Sequence, residues 1–178
     1  MPASSTELWD VVAEEAARES PLWAEALRPH EERELEPVFS PLADERYALG
    51  LESIYEGYLL HYGRPRLFST DERDTALLLG DYLYAHGLVR IAVLEVVDAV
   101  SDLAALISLS AQLRAEERDG DGPAWAATAA LLGAGGLDEA RAALRDEGDP
   151  EPLASLARAS AGVEPVERAL SAHRSRVG

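Results

Sequence analysis

Cysteine, lysine and asparagine are absent from this chain of 178 residues, and Gln112 is its only glutamine. Without cysteine there is no disulfide, no thiolate metal site and no thiol nucleophile. Loss of amide side chains removes thermolabile groups, a bias that suits a GC-rich coding sequence or a hot habitat and says nothing about activity. Long apolar runs are missing as well: none approaches the roughly 18 residues of a membrane span. The opening residues, MPASSTELWDVVAEEAARES, hold neither the basic stretch nor the apolar core of a secretory leader. A soluble, cytoplasmic protein is therefore expected, with no transmembrane segment. Positive charge is scarce too. Sixteen arginines face 33 aspartates and glutamates, and the formal net charge of -17 repels nucleic acid and anionic membranes.

What is present is a surplus of good helix formers. Ala, Leu, Glu and Arg dominate, aromatics make up 6%, and no strand-like alternation rich in β-branched residues occurs. The class expected is all-α. A chain of this length with 47% hydrophobic residues suits one core, so a single-domain helical bundle is expected. Helices and a linker would occupy 1–40, a core bundle 41–136 and short helices 137–178.

Local signals refine this division. Helices are expected over about 7–19 and 21–27, separated by Ser20-Pro21. RPHEERELEPVFSP, with three prolines and no periodicity, reads as a linker or poorly ordered crossing segment over 28–41. Ser40-Pro41 opens a helix over about 41–61, where Leu51, Ile54, Tyr55, Tyr58, Gly50 and Gly57 recur at spacings of three and four. The stretch 71–96 is apolar on nearly every side, as a central bundle helix requires. A helix over about 98–117 follows, then the small-residue helix WAATAALLGAG, ended by Gly133, Gly135 and Gly136. Short helices over about 137–146, 151–161 and 163–173 complete the chain.

Several polar residues stand out against this background. Asp81 lies among Leu77, Leu78, Leu79 and Leu83, where a buried carboxylate needs an Arg, His or Tyr partner. Tyr82 and His86, with Tyr84, form a cluster on more than one face, read as core packing with wet tips or as a binding patch. His61, closing the 41–61 helix, serves either as a helix C-terminal partner or as a base or phosphate contact. Arg64 and Arg66 flank Pro65 and either clamp an anion or pair internally with Glu56, Asp71 or Asp74. Asp98 and Asp102, and Asp71 and Asp74, are spaced for metal ligation, yet each pair sits in a helical first turn that the helix dipole favours without a metal.

Leu59-Leu60-His61, Gly63-Arg64-Pro65 and Gly80-Asp81-Tyr82-Leu83-Tyr84-Ala85 follow one another in an order that resembles the trans-isoprenyl (polyprenyl) diphosphate synthases. The later small-residue helix extends this likeness over roughly residues 45–136. The resemblance implies an all-α fold of that type, here truncated. Where the family would place its first aspartate-rich motif, between His61 and Gly63, this chain has only Tyr62, and no second motif follows. Expulsion of diphosphate depends on Mg²⁺ held by converging carboxylates, a stabilisation of several kcal/mol. The expectation is accordingly a non-catalytic subunit or prenyl-chain-binding partner of an active synthase, with no catalytic residue, metal or cofactor of its own. His61, Arg64, Arg66, Asp81, Tyr82 and His86 are then the candidate ligand- or partner-contacting residues. The alternative is a helical interaction module without a small-molecule ligand, homo-oligomeric through the apolar surface of Tyr47–Tyr62.

Overall fold

A computed structural model describes residues 5–177, with side chains from residue 8 onward. The all-α expectation holds: helices follow one another from end to end, and the described residues form no sheet. The helices are α1 (Ser5–Glu19), α2 (Pro21–Ala26), α3 (Ala48–Tyr62), α4 (Arg73–Ala92), α5 (Val97–Ala115), α6 (Asp121–Ala130), α7 (Asp138–Ala142), α8 (Glu151–Ala161) and α9 (Val163–Val177). Ser20 caps α2 by accepting from Leu22 N, as Ser-Pro pairs do at helix starts. α4 stops at Ala92, four residues short of the expected end at 96, and the turn that follows includes Glu95 in a left-handed backbone (φ 59°). α6 begins inside the RDGDGP turn, after Gly120 (φ 118°), and ends at Ala130 before three left-handed glycines.

The centre of the bundle is α3, whereas the apolar pattern pointed to α4. Every residue from Gly50 to Leu60 is buried, including Glu52, Ser53 and Glu56. α3 starts at Ala48 rather than 41, because residues 40–47 form two short 3-10 turns that bring Leu42 and Tyr47 into the core. α4 buries only one side. Antiparallel to α3, it approaches through two glycines on each helix, seven residues apart, so that Gly50 meets Gly87 and Gly57 meets Gly80. A β-carbon on Gly57 would sit 2.8 Å from the Gly80 carbonyl oxygen, and one on Gly80 would sit 2.6 Å from His61 Nε2.

Segment 28–41 is ordered, which corrects the linker expectation. Its polar backbone is paired across to residues 66–69: Arg28 N donates to Leu67 O at 2.9 Å and Glu34 N to Arg66 O at 3.2 Å. Val38 and Phe39 enter the main core, and Trp9 Nε1 donates to Leu35 O at 2.7 Å. A second apolar cluster, built on Trp9, Val12, Leu67, Phe68 and Leu79, fastens α1 and this strap over α3 and α4.

Candidate interaction surface and the buried polar networks

Arg66 is a structural residue. Its guanidinium is fully buried between the rings of Trp9 and Tyr55, donating from Nε to Glu56 Oε2 at 2.9 Å and from Nη1 to Glu52 Oε2 at 2.6 Å. Glu56 Oε1 also accepts Arg66 N and Leu67 N, both at 2.7 Å, while Glu52 Oε1 accepts Val38 N and Ser40 N. Burial opposes the charge on Arg66, but the two carboxylates outweigh it and keep the guanidinium protonated. Of the internal partners the sequence offered, Glu56, Asp71 and Asp74, it is Glu56 that pairs with Arg66. The part played by Glu52 was not legible, since it exists only because the strap passes over α3. With every donor nitrogen of the side chain engaged, Arg66 has none left for an anion.

The other five candidates divide among three places. His61 and Asp81 come together at the α3–α4 contact, with Nε2 lying 3.1 Å from Asp81 Oδ1 in poor hydrogen-bond alignment. His61 is stacked on Tyr84, and burial lowers its pKa against the opposing pull of Asp81. Asp81 is not buried: its side chain is 70% exposed, because it lies on the solvent side of α4. Arg64 is exposed beside the end of α9, where its backbone N donates to Arg176 O at 3.0 Å. Tyr82 and His86 pack ring against ring (4.1 Å between centroids), and Tyr82 also lies against Trp23 of α2. The last two line a shallow groove of about 470 Å³ between α1 and α4, with Arg90, Glu15 and Val89. Arg90 pairs with Glu15 of α1 and donates to Ser53 Oγ at 3.0 Å.

Neither acidic pair spaced for a metal forms a site. Asp71, Asp74 and Asp98 are exposed, whereas Asp102 is buried and holds Arg141 Nη1 at 3.1 Å and Gly133 N at 3.0 Å, tying α5 to α7. No group of three metal-ligating side chains converges among the described residues.

A network that sequence reading missed joins α3, α5, α6 and α9. Asp121 Oδ2 accepts from the Tyr58 hydroxyl, from Arg114 Nη2 at 2.6 Å and from His173 Nε2 at 3.2 Å, and the Tyr55 hydroxyl meets His173 Nδ1 at 2.9 Å. In sequence Asp121 resembles any acid at a helix start, and only packing brings it to residues 58 and 173. Burial raises the Asp121 pKa, but the hydrogen bonds and charges of His173, Tyr58 and Arg114 outweigh it and hold the carboxyl well below the usual range. Burial, then Asp121, push the Tyr58 hydroxyl far upward, so it remains a donor. Because the folded state binds this carboxyl proton more weakly than the unfolded one, the stabilisation is whole above about pH 4, near the ordinary Asp value. It is lost as pH falls toward the folded-state value. The gap in unfolding free energy between the parent and Asp121→Asn should thus shrink from pH 6 to pH 2 in urea titrations; a constant gap would refute this account.

The outer face of α4 has no such partners. Leu78 (60% exposed), Val89 (61%) and, at its C-cap, Val93 (72%) recur at helical spacing with exposed Ala85 between them. No family model, curated protein or solved structure matches the chain. The likeness of residues 45–136 to prenyl diphosphate synthases therefore rests on the sequence motifs quoted above. Between α3 and α4 those motifs enclose no groove, since the glycine contacts leave no space even for a methyl group. The proposed self-association surface Tyr47–Tyr62 is likewise internal: Tyr47, Tyr55 and Tyr58 are all buried. No described helix is long and apolar enough to cross a membrane.

Proposed function

We propose that this chain is a non-catalytic helical subunit, similar to the accessory component of a two-component prenyl synthase, that joins a partner chain through the outer face of α4. One observation carries the reading. Single exposed aliphatics are ordinary on any protein, but Leu78, Val89 and Val93 fall on one side of α4 and its cap, and a line of apolar side chains in water is what an interface leaves when its partner is removed. Net charge favours an unlike partner: two copies at -17 each repel, whereas a less acidic chain does not.

Sedimentation of the chain alone and mixed with a co-encoded synthase tests this. The mixture should give a complex in which product length or turnover of the synthase changes. Val89→Glu/Val93→Glu should abolish the complex while shifting unfolding free energy by no more than about 0.5 kcal/mol, as exposed substitutions do. A complex indifferent to that double variant, or no effect on the synthase, sinks the proposal. A dimer of the chain alone that the same variant dissociates would establish the self-associating module instead.

A further inference from the structure

A second surface feature lies away from α4. Where the end of α5, the start of α6, Pro150 and the last turns of α9 meet, they leave a cleft of about 500 Å³. Arg114 of α5 lines it together with Leu170, Arg174 and Val177, which share one face of α9 with the guanidinium between the two apolar side chains, and Pro150 completes its apolar lining. Pockets of this size and mixed lining are what small ligands occupy.

The arginines are unequal and complementary. Arg114 is fixed in place: Nε donates to the Tyr58 hydroxyl at 2.9 Å and Nη2 to Asp121 at 2.6 Å, while Nη1 has no acceptor among the described residues. A guanidinium held by two bonds loses little freedom on making a third, so its remaining donor is preorganised. Arg174 is exposed and makes no ion pair among the described residues, although acids outnumber arginines two to one. Opposing them on the lining are Asp119 at the rim and Asp121, whose Oδ2 is already occupied by three donors. Two guanidiniums against two carboxylates leave no excess positive charge for a polyanion. They do leave two unoccupied donor groups suited to a single negative head.

We infer that this cleft binds a small carboxylate with an apolar body, its head between Arg114 Nη1 and Arg174 and its body along Leu170 and Val177. Inorganic phosphate, which has no apolar part, and neutral alcohols, which have no charge, are poor ligands for such a lining. The site is independent of the α4 surface.

The test is calorimetric titration of the full chain with hexanoate, using hexanol and inorganic phosphate as controls. Hexanoate should bind saturably and one to one, with neither control competing. Arg174→Ala, an exposed change that leaves the Tyr58–Asp121 network intact, should weaken binding about tenfold, the worth of one charge-assisted hydrogen bond. Arg174→Glu should abolish it, with unchanged circular dichroism in both variants. Absence of saturable binding, equal binding to Arg174→Ala, or equal binding of hexanol overturns the assignment.

Discussion

Replacing Arg66 by methionine should lower the unfolding free energy by about 3–5 kcal/mol, the range for removing one partner of a buried ion pair. Glu52 and Glu56 are both wholly buried, and without the guanidinium two negative charges would face each other across one helical turn. They would have to take up protons or admit water. Buried ion clusters can often be exchanged for apolar residues at no loss, but here the carboxylates also accept the backbone N–H groups of Val38, Ser40, Arg66 and Leu67. An Arg66→Met/Glu52→Leu/Glu56→Leu variant would orphan those four donors and should recover nothing. Arg66→Met/Glu52→Gln/Glu56→Gln keeps an acceptor for each donor and removes the charges, so it should recover most of the loss. Urea midpoints for the three variants decide the matter. A loss below about 1 kcal/mol in Arg66→Met would show that the cluster adapts to a missing charge more cheaply than its burial implies.

The next largest effect is expected at Gly57. In an exposed helix interior, Gly→Ala stabilises by about 1 kcal/mol through propensity. At Gly57 the new β-carbon would meet the Gly80 carbonyl oxygen at 2.8 Å and Leu83 Cβ at 3.3 Å, neither of which is the far end of a flexible side chain. Overpacking of this kind costs about 1–3 kcal/mol and should win, so Gly57→Ala is expected to be net destabilising by thermal and urea unfolding. A stabilised Gly57→Ala protein would mean that α3 and α4 separate without penalty.

These two positions also show what could be read from the sequence and what could not. Helix-forming composition and turn residues were enough for the all-α class and for most helices, because propensity and capping are local effects. The apolar run of 71–96 misled, since an all-round apolar composition fits either a bundle centre or a helix at its edge, and periodicity does not separate the two. α3 is the true centre, and its two acids made it look less buried than it is. Gly50/Gly57 and Gly80/Gly87 share a seven-residue spacing that pairs them in antiparallel order, a signal present in the sequence but visible only once α3 and α4 are known to touch. Among the site candidates, Arg66 pairs internally with Glu56, one of the three partners the sequence offered, while proximity along the chain alone would have favoured Asp71. The leucines that flank Asp81 in sequence do not surround it in space, because Leu78 and Asp81 both face outward. The Tyr58–Asp121–His173 network joins residues 52 to 118 positions apart, beyond the reach of any local rule.

A helix with no outward side is intolerant of changes in its length. Each residue turns an α-helix by roughly 100°, so inserting or deleting one anywhere between Gly50 and Leu60 would rotate Glu52 and Glu56 away from Arg66 or Gly57 away from Gly80. No exposed face exists onto which the misfit could be shifted. Variation in chain length among proteins built on this plan must fall instead in the connections, such as 116–120 or 131–137, leaving the span of α3 constant to the residue.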